Sequence, residues 1–134
     1  MTSPTKRTLD ALRKQGYTCQ VVERFCQYSK RRIDLFGCID LVALKERQNI
    51  NEYKPGWWDF IPGSILGVQA TTGDNASKRV QKAIAEPRLK VWLEAGGKFQ
   101  VWGWRELKNK TPKWQARIVS LVLSGGEVIA KEEI

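Results

Sequence analysis

The sequence predicts an α/β fold of the α+β kind, a mixed central β-sheet flanked by helices, and three observations predict it. Segments of strand length, rich in β-branched and apolar residues, alternate with segments whose apolar residues recur at helical spacing. Gly and Pro punctuate the joints between them. The 134 residues, 42% hydrophobic and 10% aromatic, are enough to bury a core, and residues 1–134 read as a single domain.

The elements follow in order. Pro4 suits a first helical turn after Ser3, Leu9 and Leu12 share a face, and Gly16 is a natural stop, which predicts a helix over 4–15. Residues 17–25 and 36–44 read as two strands, with the polar, basic segment Gln27 to Arg32 as an exposed turn between them. Lys45 to Gly63, which contains Trp57-Trp58, reads as a long connection. Ser64 to Thr72 is a third strand ended by Gly73. Asp74 or Asn75 caps a helix whose apolar stripe is Ala76, Val80, Ala83 and Ile84. Pro87 starts a second helical segment through Leu93, stopped by Gly96-Gly97. Lys98 to Arg105 and Trp114 to Leu123 alternate as strands, and Glu127 to Lys131 forms a short last one.

Composition removes several chemistries. The chain has no His, so Ser-His-Asp and Cys-His catalysis and most zinc sites are excluded. Cys19, Cys26 and Cys38 are too few and too irregularly spaced for a disulfide framework and read as free thiols. The longest uncharged stretch, 60–73, is too short and polar to span a bilayer, and the basic N-terminus lacks the apolar run of a secretory signal, so a cytoplasmic address is expected.

The net charge of +9 is unevenly distributed. Residues 1–32 carry 8 basic and 2 acidic groups, 33–74 carry 3 and 6, 75–117 carry 11 and 3, and 118–134 carry 1 and 3. Carboxylates gathered between two basic segments suggest a cation site beside a phosphate-binding surface; the plainer reading is a solvated basic face. Asp40 is the sharpest single signal, because its neighbours from Phe36 to Leu44 are apolar or glycine. A carboxylate held there takes up a proton, finds a cation, or is bonded by backbone amides at a strand bend. Gln69 and Thr71 share one face of the third strand, and Asn75, Arg79 and Lys82 share one face of the helix after it.

Ile39-Asp40-Leu41-Val42-Ala43-Leu44, followed after an insert by Leu66-Gly67-Val68-Gln69-Ala70-Thr71, resembles the D…(D/E)-x-K core of the PD-(D/E)XK nuclease superfamily. The longer string, from Val22-Glu23 and Asp34 through Arg79 and Lys82 to Val101-Trp102-Gly103-Trp104-Arg105, is similar to small phage and prophage proteins of that superfamily, related to Holliday-junction resolvases. The resemblance implies a restriction-endonuclease-like core of order α-β-β-β-α-β and a metal-dependent DNA endonuclease, structure-selective for branched or junction DNA, working with Mg2+ or Mn2+ in a bacterial or phage setting.

The resemblance makes Asp40 the principal metal ligand. Gln69 stands in the place of the second acid and Thr71 in the place of the lysine, and both are departures. Glu23 or Asp34 then supplies the missing negative charge, with Glu23 preferred, and Arg79 or Lys82 the missing positive one. Lys82 is expected to stabilise developing charge or orient water, and Arg79 to clamp phosphate. Lys78, Asn75, Thr71, Lys30, Arg31 and Arg32, with Lys6 and Arg7, extend the phosphate track, which positions a backbone without reading bases. Cutting two strands symmetrically takes two sites, which a homodimer would supply. Trp92, Trp102 and Trp104 are expected in packing, while Trp57-Trp58 is expected to wedge an unstacked junction or anchor a loop. Two other readings stand beside the nuclease: the same fold with a decayed site that binds nucleic acid without cutting, and a protein-interaction domain docking through its Trp-rich strand.

Overall fold

The computed structural model describes residues 2–49 and 60–133 and has the expected class, a mixed six-stranded sheet with three flanking helices. Helix α1 (Pro4–Lys14) begins where Ser3 Oγ accepts from Lys6 N at 3.1 Å and where the missing N–H of Pro4 costs nothing. Strand β1 (Thr18–Val21) precedes a two-stranded ribbon, β2 (Arg24–Cys26) and β3 (Arg31–Ile33). Strand β4 (Leu41–Lys45) comes next, then a small pairing of β5 (Gln48–Asn49) with β6 (Phe60–Ile61), then β7 (Ser64–Thr72). A 3-10 turn over Gly73–Asn75 leads into α2 (Ala76–Ile84) and α3 (Pro87–Glu94). Strands β8 (Lys98–Glu106), β9 (Trp114–Ser124) and β10 (Glu127–Glu133) complete the chain.

The sheet runs β1-β4-β7-β8-β9-β10. Only β7 and β8 are parallel, and their connection is the helical pair α2–α3, as a parallel neighbour requires. Strand alternation sends side chains to two cores. Leu9 and Leu12 of α1 pack on Leu41, Ala43, Leu66, Val68 and Trp102, while Val80, Ala83 and Leu89 cover Ile39, Phe99, Val101, Val119 and Leu121 on the opposite face. Trp104 Nε1 donates to Thr8 Oγ1 at 2.9 Å, and that hydroxyl donates to Pro4 O at 2.8 Å, fastening α1 to β8. The Trp102 and Trp104 rings lie 6.0 Å apart at 45°. Among the described residues the three cysteines are free, and no helix is long and apolar enough to cross a membrane.

Several expectations need correction. The strand expected over 17–25 is broken after Val21, because Val22 N and Glu23 N both donate to the single carbonyl of Asp40, at 2.8 and 3.1 Å, and the chain turns away into the ribbon. The strand expected over 36–44 starts only at Leu41. Phe36 and Gly37 take φ of 53° and 75°, a left-handed turn no strand can contain, and a Cβ on Gly37 would have to displace the side-chain ends of Glu86 and Arg88, 2.7 and 2.9 Å away. Arg31 and Arg32, read as loop, lie on β3. Asn75 does not cap α2 with its side chain, whose Nδ2 donates backward to Thr72 Oγ1 at 3.1 Å. The connection expected over 45–63 begins within β4 and has paired strands at its ends, and Trp57-Trp58 lies outside the described residues. Strand β7 matches its expected bounds, and the last strand reaches Glu133.

Candidate metal and phosphate site

The backbone gathers three carboxylates at the start of β4. Asp40 N donates to Val68 O at 2.9 Å, docking the residue on β7, while its carbonyl holds Val22 and Glu23. Leu35 and Ile39 exchange two backbone bonds of 2.9 Å, which folds Asp34 back beside Asp40. One carboxylate oxygen from each of Glu23, Asp34 and Asp40 then lies within 4.8 Å of the others. Glu23, the preferred source of the missing negative charge, and Asp34, its alternative, are both present.

Asp40 is buried, and its Oδ2 accepts from Ala70 N at 2.9 Å. Burial is the main reason its pKa is pushed up to about 8; a hydrogen bond and charge from Asp34 and the charge of Glu23 add to it, and the Ala70 N–H opposes it. Asp40 holds a proton near neutral pH unless a cation replaces it.

Gln69 is 2% exposed, and its Nε2 donates to Asp34 Oδ2 at 3.2 Å. This fixes the amide, because a carbonyl turned toward a carboxylate would be repelled. Its Oε1 is left buried without a hydrogen-bond partner. Buried acceptors are nearly always satisfied, so this oxygen still calls for a donor or a cation. The donor set of carboxylate and amide oxygens suits hard divalent ions such as Mg2+ and Mn2+.

The acids and Gln69 line a cleft of about 330 Å3 together with Arg32, Arg79, Lys82 and Thr5 of α1. Arg79 and Lys82 make no side-chain hydrogen bond or ion pair among the described residues, so their donors are free for an incoming anion. Arg32 Nη1 is bonded to Glu23 Oε1 at 2.9 Å, tying the β2–β3 ribbon to the acids. Lys30, at φ 56°, and Arg31 lie on that ribbon, which also exposes Tyr28 fully and Phe25 by half.

The structure does not bring every expected residue here. Asn75 and Lys78 are exposed and do not line the cleft, Thr71 is buried in β7 outside it, and only Arg79 and Lys82 of the expected helix face reach the acids. Lys6 pairs with Asp10 at 2.8 Å, and Arg7 stacks 3.8 Å above the Trp114 ring. Thr5, in the Thr5-Lys6 segment that by the resemblance stands where the family carries an N-terminal helix glutamate, lines the cleft without supplying a charge. A larger cleft, of about 720 Å3 beside Lys45 and Ile65, has no comparable group of acids among the described residues. Compared with family models, with curated proteins and with solved structures, the chain has no match in any of the three.

Proposed function

We propose that the protein is a metal-dependent DNA endonuclease of the PD-(D/E)XK type that hydrolyses phosphodiester bonds and selects DNA by shape. The observation that carries the reading is one cleft lined by Glu23, Asp34, Asp40 and Gln69, whose buried Oε1 lacks a hydrogen-bond partner, together with Arg79 and Lys82, which make no ion pair among the described residues. In this reading Asp40, Asp34, Glu23 and the Gln69 carbonyl hold Mg2+ or Mn2+. A bound divalent ion supplies positive charge against a phosphate oxygen and acidity for a water. Asp40 gives up its proton when the cation enters. Arg79 grips two phosphate oxygens through its planar fork, which an ammonium cannot do. Lys82 places its charged Nζ where negative charge develops, the task Thr71 cannot perform. Lys30, Arg31 and Arg32 extend the track along the ribbon and contact backbone, so they favour shape over base sequence.

The second reading, a module that binds nucleic acid without cutting, is favoured by one observation: Thr71, in the family's lysine position, is buried outside the cleft. One experiment separates the two. Labelled duplex, flap, single-stranded and four-way-junction DNA are incubated with the protein in Mg2+, Mn2+ or EDTA, beside Asp40→Asn. Metal-dependent cutting that the variant loses is the expected result. Salt-sensitive binding without cutting in any metal establishes the binding module instead.

A further inference from the structure

We propose that the outer edge of β10 is a self-complementary interface through which two copies of the chain pair antiparallel about a two-fold axis at Ile129, joining their sheets. The inference is independent of the nuclease reading. Strand β10 is the last in the sheet, so its outward N–H and C=O groups have no ladder partner among the described residues. Its ladder parity is set by the two-residue turn Gly125-Gly126, with φ of 59° and 83°, which pairs Ser124 with Glu127. Residues 127, 129, 131 and 133 therefore direct their backbone groups to β9, and residues 128, 130 and 132 direct theirs outward.

With the axis at Ile129, Val128 of one copy faces Ala130 of the other, and both present outward groups, so they exchange two ladder bonds at each side of the axis. Ile129 faces its own symmetry mate as a non-hydrogen-bonded pair, where side chains approach most closely. Glu127 faces Lys131 of the other copy, twice.

The charges select this register. Glu132 is already bonded to Arg117 at 2.7 and 3.1 Å, and Glu133 accepts from Ser120 Oγ at 2.6 Å. Glu127 and Lys131 have no ion pair among the described residues and are the ones left to be satisfied between copies. An axis at Ala130 would set Glu127 against Glu133, and one at Lys131 would set two lysines opposite each other. Ile129 and its neighbour Val122 are 44% and 36% exposed on the same face, and pairing brings two such patches together.

The test is light scattering after size exclusion across a dilution series, with circular dichroism to check folding. Wild type is expected to run as a species of twice 15.3 kDa. Lys131→Glu, which turns both attractive pairs repulsive, is expected to weaken association by about tenfold or more, and Glu127→Lys with Lys131→Glu to restore it. Ala130→Pro removes one outward donor while leaving the β9 ladder intact, and is expected to give a monomer. If that variant fails to fold, the surface-charge exchange decides alone. Ile129→Cys is expected to form a disulfide between copies on mild oxidation that Val128→Cys does not form. A wild type that stays monomeric throughout overturns the proposal, as does a dimer indifferent to Lys131→Glu.

Discussion

Replacing Asp40 by Asn is expected to stabilise the metal-free protein. The folded chain raises the Asp40 carboxyl from 3.8 to about 8, chiefly by burying it and then by setting Asp34 and Glu23 beside it. At pH 7 the folded state therefore carries a proton that the unfolded chain releases. Taking it up costs about 1.4 kcal/mol per pH unit above 3.8, or about 4 kcal/mol at neutrality. An Asn keeps an oxygen for Ala70 N and offers an N–H where the protonated acid has its O–H, at no such cost. With allowance for water reaching the cleft, the gain is about 2–4 kcal/mol, or roughly 8–16 °C in Tm for a chain of this size.

The sign of the pH dependence follows from proton counts. Between the two pKa values the folded wild type binds more protons than the unfolded chain, so its stability falls as pH rises through that window. The variant lacks this slope. The gap between the two proteins is therefore expected to be near zero at about pH 4, to widen by about 1.4 kcal/mol per unit, and to level off above about pH 8. Thermal unfolding of both proteins in EDTA over this range measures it. Repeating the series with Mg2+ or Mn2+ is expected to raise the wild-type Tm by ligand linkage and to leave the variant nearly unmoved. A variant less stable than wild type at neutral pH, or a gap that does not change with pH, would refute the reasoning.

Three further outcomes are expected. Gln69→Glu removes the donor to Asp34 Oδ2 and adds a fourth carboxylate, so the metal-free form should lose about 1–3 kcal/mol while divalent affinity rises in calorimetric titration; a folded variant with weaker metal binding would show that Gln69 Oε1 is not a ligand. In Gly103→Ala the new Cβ would meet Ala76 Cβ at 2.7 Å and Gly73 Cα at 3.3 Å, so the urea midpoint should fall by the equivalent of about 1–3 kcal/mol, and an unchanged midpoint would mean α2 packs farther from β8. Leu12→Ala empties a position that is 1% exposed between α1 and the sheet and should cost about 2–5 kcal/mol by denaturant unfolding; a loss under about 1 kcal/mol would contradict the packing of α1.

Elements with an unbroken local pattern were legible in the sequence. Strand β7 is an uncharged run of strand length from Ser64 to Thr72 that ends where Gly73 begins a turn, so its bounds follow from composition and the glycine stop. Phe36 to Leu44 has the composition of one strand but contains a left-handed turn, because Leu35 and Ile39 bond across it, and such a pairing between near neighbours leaves no mark on hydropathy. The same limit applies to Val22 and Glu23, which follow the carbonyl of a residue far along the chain. The site divides in the same way. Asp40 stood out because it is a lone charge in an apolar run, and Arg79 with Lys82 because they share a helical face. Helical spacing puts Asn75 on that face too, but the residue belongs to the 3-10 turn before α2 and does not line the cleft. That Glu23 and Asp34 both join Asp40 depended on two backbone pairings, which no spacing along the chain encodes.

The indole pair of β8 makes the docking of α1 optically readable. Two rings 6.0 Å apart and inclined at 45° are close enough for their excited states to mix, which gives a two-signed circular-dichroism couplet that a single indole lacks. Because one of those rings is held by Thr8, a change in the couplet reports a change in the docking of the first helix on β8 as well as in the strand itself.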